Sequence, residues 1–319
     1  MYNLKIRVFP YNVDDNDYKR NEDRSMADLG YAKRGGDRRE GRRLRALPAW
    51  RAVTPYFLRR RSEALSTLAD SVEVSAIERW LLEKRAEGWA GLGFIHLLIA
   101  AYVRTVSMRP AINRFVAGRH IFARNEIEVI LTIRRGSSSE ADETSVKVPF
   151  SPTDTVFDVY RRLSEAVDGV KADVIVSTPE RVASTLSRLP RPLLRLVTAV
   201  LRVMDYFDWL PRTWLDESPF HGSLLVADMG SLGIMPVEAA IPDFGDIPCA
   251  VSFGAKRKVR EPGEGERMVE RHYVDYRFTC DGRIADSYYF ASALKCLKYF
   301  MKNPAHLELP PETIEDDIN

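Results

Sequence analysis

The 319-residue chain has only three cysteines, Cys249, Cys280 and Cys296, and no Cys-x-x-Cys pair. That argues against a disulfide framework or a structural zinc site, and it fits a reducing cytoplasm. An excess of one charge is also missing. With 47 Lys and Arg against 45 Asp and Glu the formal net charge is +2, so the molecule as a whole is no polycation and nucleic acid is not an expected partner. A long hydrophobic run is absent too. The most apolar region, Pro192 to Leu210, is broken by Arg195, Arg202, Asp205 and Asp208, which excludes a membrane span there. The N-terminus shows no basic stretch followed by an apolar one, so no secretory leader is expected. What is present is ordinary for a globular protein: 45% hydrophobic and 29% charged residues, enough for a sizeable core.

Composition changes along the chain. Met1 to Phe9 alternates like a short strand. From Tyr11 to Arg45 apolar periodicity is lost and Asp, Asn, Arg, Lys and Gly dominate, with Lys33 to Arg45 strongly basic. Residues 1–46 are therefore expected to form a basic, flexible, solvated arm, residues 47–304 a single folded domain, and residues 305–319 a loose acidic tail. Thr54-Pro55 reads as the start of a helix with Phe57, Leu58, Leu65 and Leu68 inward and Arg59, Arg60 and Arg61 outward. Ser71 to Val74 is a short strand. Ser75 and Glu78 suggest a capping box opening a helix to Arg85. Leu92 to Met108 is a more apolar helix, and its His96 reads as a packed residue. Strands at Glu128–Arg135 and Ser145–Phe150 flank a polar hairpin loop from Gly136 to Thr144, followed by a helix from Thr155 to Val167. Thr178-Pro179 opens another helix. Pro192 to Phe207 is apolar around most of its circumference, as expected of a core or subunit-interface helix.

The last third carries the most information. Ser223 to Asp228 reads as a buried strand followed by the double-glycine turn Gly230-Ser231-Leu232-Gly233. Ala250 to Arg260 and Arg267 to Cys280 form a hairpin around Pro262-Gly263-Glu264-Gly265. The second strand runs into Asp281-Gly282-Arg283-Ile284-Ala285-Asp286-Ser287. An amphipathic helix then places Phe290, Ala293, Leu294, Leu297, Phe300 and Met301 on one face and Lys295, Lys298 and Lys302 on the other. Asn303-Pro304 ends it.

This strand, turn and helix resemble the C-terminal signature of the chloramphenicol acetyltransferase and dihydrolipoamide acyltransferase superfamily, commonly Asp-His-Arg-x-x-Asp-Gly. Asp281, Arg283, Asp286 and Asn303-Pro304 keep their places without a gap. The segment from Arg109-Pro110 to Ile127 is similar to the family's "proline, apolar, Asn" region. Two positions depart. Gly282 stands where the family has its catalytic histidine, and Ser287 where it has the final glycine. Aligned on Gly230 and Gly233, Ala227 stands where the family has a serine that donates to the tetrahedral intermediate.

The resemblance implies an α/β two-layer sandwich of the chloramphenicol acetyltransferase type, a mixed sheet covered by helices. It places Asp281 in a strand-to-helix turn beside the Ser223–Asp228 strand and makes Arg283 and Asp286 an internal ion pair. It also implies a homotrimer whose intersubunit channel takes a coenzyme A thioester or another small ligand, or a lipoyl-linked acyl group. No cofactor is certain from the residues themselves. A histidine base is typically worth ~10²–10⁴ in rate and an oxyanion donor ~10²–10³, and this chain has neither at the aligned places. His221 lies too far along its strand from Ala227, His272 sits in mid-strand, and His120 and His306 are in polar surface-like settings. Cys280, just before the motif, is a conceivable nucleophile, and Arg283 a second candidate. Two function classes follow: an acyltransferase with altered chemistry, and a non-catalytic scaffold or ligand-binding homologue.

Overall fold

The computed structural model describes residues 34–134, 143–171, 186–262 and 268–318. The expected strand at Met1–Phe9, the tips of the two hairpins and the helix opened by Thr178-Pro179 lie outside them. Strand β1 (Gly41–Arg43) leads into helix α1 (Ala49–Phe57), strand β2 (Leu65–Glu73) and helices α2 (Ser75–Ala86) and α3 (Phe94–Met108). Strands β3 (Arg114–Ala117), β4 (His120–Arg124), β5 (Ile127–Arg134) and β6 (Glu143–Phe150) follow. Then come helices α4 (Val156–Lys171), α5 (Arg191–Tyr206) and α6 (Arg212–Glu217). Strands β7 (Leu224–Asp228), β8 (Cys249–Pro262) and β9 (Met268–Asp281) and helix α7 (Ser287–Lys302) complete the order.

Six strands form the main mixed sheet in the order β2-β9-β8-β7-β5-β6, parallel at β5/β7 and β7/β8 and antiparallel elsewhere. A second, three-stranded antiparallel sheet has the order β1-β4-β3. This is the expected α/β architecture. Helix α3 buries every residue from Leu97 to Ser107, because apolar side chains occupy nearly its whole circumference. It packs with α7, which presents Phe290, Ala293, Leu297, Phe300 and Met301, against one face of the sheet. On the other face a small cluster of Ala239, Ile241 and Ile247, all from the β7–β8 connection, covers Ile130 and Ala250. A 3₁₀ turn over Gly230–Leu232 begins that connection, and Gly233 follows at φ +73°, a left-handed conformation that glycine adopts without a Cβ clash.

Several local expectations are corrected. The helix at Thr54 starts earlier and ends at Phe57, with Pro55 inside it, and Thr54 Oγ1 donates to Trp50 O at 2.9 Å instead of capping. Leu65 and Leu68 lie in β2, where nine residues pair with β9 from Leu65 opposite Asp281 to Glu73 opposite Tyr273. Long-range pairing overrides local pattern here. At α2 no side chain caps the N-terminus. Glu78 is taken by Lys256 and by His272 Nδ1 at 3.1 Å. Arg61 points inward, 2% exposed.

Described residues 34–46 and 305–318 make contacts that the expected arm and tail do not include. Gly41 to Arg43 pair with Arg124 to Phe122, Leu44 joins the core, and Arg38 is buried, donating to the Asp205 carbonyl at 2.6 Å. In the tail, Trp80 Nε1 donates to Glu308 at 2.7 Å, Glu315 N donates to Ser107 O at 2.8 Å, and Asp317 pairs with Arg114. Buried arginines hold these polar segments, a pattern composition does not reveal. Helix α5 buries no residue in the single chain, so it is not a core helix. Among the described residues no helix is long and apolar enough to cross a membrane.

Candidate functional site

Strand β9 ends at Asp281 because three donors converge on its carboxylate there. Arg283 Nε lies 2.9 and 3.1 Å from the two oxygens, Arg283 Nη2 is 2.6 Å from Oδ2, and the Arg283 backbone N–H donates at 3.1 Å. Arg61 Nε stands 3.6 Å away on the other side. All three side chains are buried. Arg61 also donates to the carbonyls of Pro242 and, at 2.7 Å, Gly245, and Arg283 Nη1 donates to the Arg59 carbonyl. Burial lowers the Arg61 pKa from its usual range. The turn is therefore a buried ion cluster.

Asp286 does not join it. Its carboxylate caps α7, accepting from Tyr289 N at 2.7 Å, and lies 3.8 Å from Arg51. Arg283 has chosen Asp281 as its partner, so the expected Arg283–Asp286 pair is absent. The reason is reach: a side chain two residues away on the same tight turn lies closer than the helix cap.

Gly282 sits between these groups. Its N–H donates to Ala64 O at 2.8 Å, and its own carbonyl accepts from Arg51 Nη1 at 3.1 Å. A Cβ at this position would stand 2.8 Å from the Ala64 carbonyl oxygen. Backbone of the segment leading into β2 thus fills the direction in which a side chain would leave. Cys280 is equally unavailable. It is fully buried with its Sγ 3.6 Å from Cys249 Sγ, and burial raises its thiol well above the ordinary range. A neutral, solvent-inaccessible thiol is no nucleophile.

Ala227 lies at the other end of the sheet. It pairs with Ser252 on β8, which pairs with Arg277 on β9, so β8 separates β7 from β9 and Asp281 is not directly beside the β7 strand. At ~4.8 Å per strand and ~3.3 Å per residue, Ala227 and Gly282 of one chain are roughly 19 Å apart. Beyond the last β5/β7 pair, Leu131 with Val226, the two strands part. A cavity of about 770 Å³ opens there, lined by Ile95, His96, Thr132, Tyr160, Leu163 and Ala227 among others. Its size suits a small ligand.

His96 gives this cavity its chemistry. Gly93 N–H donates to His96 Nδ1 at 3.0 Å, which leaves the ring proton on Nε2. Burial, with the Arg85 charge nearby, lowers its pKa to about 4. With a pKa of about 4 the imidazole is neutral at pH 7, so its Nε2–H can donate a hydrogen bond and the ring is not a strong base. The Gly93-x-x-His96 spacing at the start of an apolar helix was the available local signal. Three of the other four histidines have hydrogen-bonding partners, and His120 meets the Tyr56 ring edge-on. His221 is buried between Ser218 Oγ at 2.8 Å and Asp205 at 3.3 Å. His272 contacts Glu78, and His306 lies 3.3 Å from the Tyr299 hydroxyl. Among the described residues no group of three or more His, Cys, Asp or Glu is placed to hold a metal.

No protein-family model matches the sequence, and no curated protein matches it. Solved structures do. The Azotobacter vinelandii dihydrolipoamide acetyltransferase covers 95% of this chain and 100% of its own at 12% identity, with a TM-score of 0.53. That protein has been studied for the role of a serine, a histidine and an asparagine in its catalytic mechanism. A probable dihydrolipoamide acetyltransferase from Listeria monocytogenes 4b F2365 matches 81% of this chain and 94% of its own at 14% identity, with a TM-score of 0.52. The cubic core of the pyruvate dehydrogenase multienzyme complex matches 95% and 100% at 11% identity, also at 0.52. The chain has the fold of the dihydrolipoamide acetyltransferases. At these identities the likeness establishes the acyltransferase fold and leaves activity to be argued from the site.

Proposed function

We propose that this acyltransferase-fold chain binds an acyl thioester of the coenzyme A type without histidine-dependent transfer. The observation that carries the reading is the closure at Gly282. The resemblance puts the family's histidine there, yet the Ala64 carbonyl occupies the side-chain direction at 2.8 Å. Absence of the base is thus supported by packing around the position as well as by residue identity. At the aligned oxyanion position Ala227 offers no donor. The cavity beside it has the volume of a ligand site and a mixed lining in which Ile95, Leu131, Leu163 and Val226 accompany Asp168 and Asp228, with neutral His96 as a donor to a carbonyl.

In this reading the acyltransferase-like domain, with the flanking residues packed on it, assembles as a homotrimer and acts as a ligand-binding or scaffolding subunit. The exposed apolar stripe of α5, Leu193, Leu196, Val200 and Val203, is a surface that a partner copy would cover.

The test uses the full chain. Acetyl-coenzyme A binding is measured by calorimetry, and thioester cleavage is followed with a panel of thiol and amine acceptors. Saturable binding, lost in Ala227→Trp, with no turnover above background is the expected result. Light scattering should give a mass near three times 36.4 kDa. Turnover at about 1 s⁻¹ or faster would overturn the non-catalytic reading. The second reading, altered chemistry at the same cavity, rests on His96, and it predicts that His96→Phe abolishes such turnover. Gly282→His should restore nothing, because β2's lead-in blocks the side chain.

A further inference from the structure

At the opposite end of the sheet from the Ala227 cavity, a second cleft of about 520 Å³ is lined by six arginines, Arg59, Arg60, Arg61, Arg119, Arg202 and Arg283. They come from separate places in the chain: the α1–β2 connection, the β3–β4 turn, helix α5 and the Asp281 turn. Only Asp205 and Asp243 among the lining residues oppose them, and both are already engaged. Asp205 lies 3.4 Å from Arg38 and 3.3 Å from His221. Asp243 accepts from the Ser62 backbone and hydroxyl at 2.9 and 3.1 Å, and its pKa is held low even against its own partial burial.

We infer that this cleft is a binding site for a small ligand carrying at least two phosphoryl groups. Two observations carry it. Arg59, Arg60 and Arg202 have no carboxylate within ion-pair distance among the described residues, although surface arginines elsewhere on the chain, such as Arg257 and Arg271, do. Arg119 holds a left-handed backbone at φ 63°, following Gly118 at φ 52° in the tight β3–β4 turn. Two successive left-handed residues are what a two-residue hairpin turn between Ala117 and His120 requires, so the turn fixes where Arg119 stands. It sets the Arg119 guanidinium over the Tyr56 ring, 5.8 Å from the centroid, at the cleft. Arg61 and Arg283 also line the cleft but are held by Asp281 and by backbone carbonyls, so the uncommitted charge comes from the other arginines. Like charges gathered around a concave surface raise the local potential, and planar guanidinium forks match phosphoryl oxygens two at a time. The cleft's volume fits a small molecule. Its arginines surround a hollow and do not form a flat stripe, which favours a metabolite over a nucleic-acid duplex.

Inorganic pyrophosphate is the probe, titrated into the full chain by calorimetry at low salt. Saturable binding is expected, weakening as salt rises, with orthophosphate binding more weakly. The exposed pair Arg59→Glu/Arg202→Glu should lower affinity by about tenfold or more, since charge-assisted contacts are lost and reversed. Arg79→Glu/Lys295→Glu makes the same change in net charge on exposed positions of α2 and α7, away from the cleft, and should leave affinity unchanged. Arg202→Gln, which removes one charge without adding another, should give an intermediate value. Competition by coenzyme A would assign the phosphoryl groups to a nucleotide cofactor, and its absence to a smaller phosphate ester. Failure of wild type to bind saturably below about 10 mM would overturn the inference, as would equal losses in the two double variants. Neither result touches the Ala227 cavity, which Ala227→Trp tests separately.

Discussion

The two ends of the central sheet solve opposite problems. Where β9 ends, Asp281 is gripped by Arg283 and flanked by Arg61, all buried, and the Ala64 carbonyl fills the space in front of Gly282. Where β5 and β7 part, a cavity of about 770 Å³ opens, lined by apolar side chains together with Tyr160, Asp168, Asp228 and a His96 whose pKa is lowered to about 4. The first end commits Asp281, Arg283 and Arg61 to holding a turn, and only the arginines around them, Arg59, Arg60 and Arg202, are left without a carboxylate partner among the described residues. The second contributes little to holding the fold and remains open. The Asp281 motif is thus used for architecture at one end, while the other end of the same sheet carries the cavity.

The sharpest way to break this contrast is to neutralise the closed end. Asp281→Asn leaves two buried guanidinium groups facing a neutral partner. Removing one member of a buried ion cluster is expected to cost about 3–5 kcal/mol, read as a lower urea midpoint. The matching change at the open end, Asp228→Asn, affects a half-buried carboxylate that accepts from Ser231 N at 3.0 Å, and it should cost about 1 kcal/mol or less. Similar losses at both ends would remove the distinction.

Side-chain addition probes the same difference. Gly282→Ala should cost on the order of 1–3 kcal/mol, because the new methyl meets backbone that can yield only by shifting β2's lead-in. Ala227→Ser, at a half-buried position lining the cavity, should stay within about 0.5 kcal/mol.

The pH response sharpens the open end. The His96 pKa is about 4 in the folded chain, against ~6.5 when unfolded. As pH falls below ~6.5 the unfolded chain takes up the proton first, so stability falls between pH ~6.5 and 4 and this contribution is fully present only above that window. The loss is on the order of 1–3 kcal/mol after allowing for partial exposure. His96→Phe should flatten this part of the profile relative to wild type, in urea midpoints measured from pH 7.5 to 4.5.

The smallest expected effect is at Asp286. As an exposed helix cap beside a buried cluster, Asp286→Ala should cost about 1 kcal/mol. A loss as large as that of Asp281→Asn would show that Asp286 belongs to the clamp after all.

Much of this was legible in residue order. The alternation of β8 and β9, the stripe of α7 and the stop at Asn303-Pro304 are local patterns, and the structure places each within a few residues of its expected position. The cap of α4 is local too, with Thr155 and Asp158 bonding reciprocally. Leu65 and Leu68 lie in a strand and not on the expected helix, because the strand character there comes only from pairing with a segment more than 200 residues away. Arg61 was misplaced on the surface for the same reason: its partners Asp281, Pro242 and Gly245 are distant in sequence.

The sequence by itself determined the architecture, because period and turn chemistry act over a few residues and the strand-turn-helix of the last third is locally consistent. It also determined which residues stand at the aligned catalytic places, Gly282 and Ala227. Only the tertiary structure decided what those places can do. Whether a side chain fits at residue 282 depends on the Ala64 carbonyl, whether Cys280 can react depends on its burial against Cys249, and whether His96 carries charge depends on Gly93 and the surrounding core. Clearance, dielectric and hydrogen-bond partnership are properties of neighbours in space, and chain folding alone brings those neighbours together.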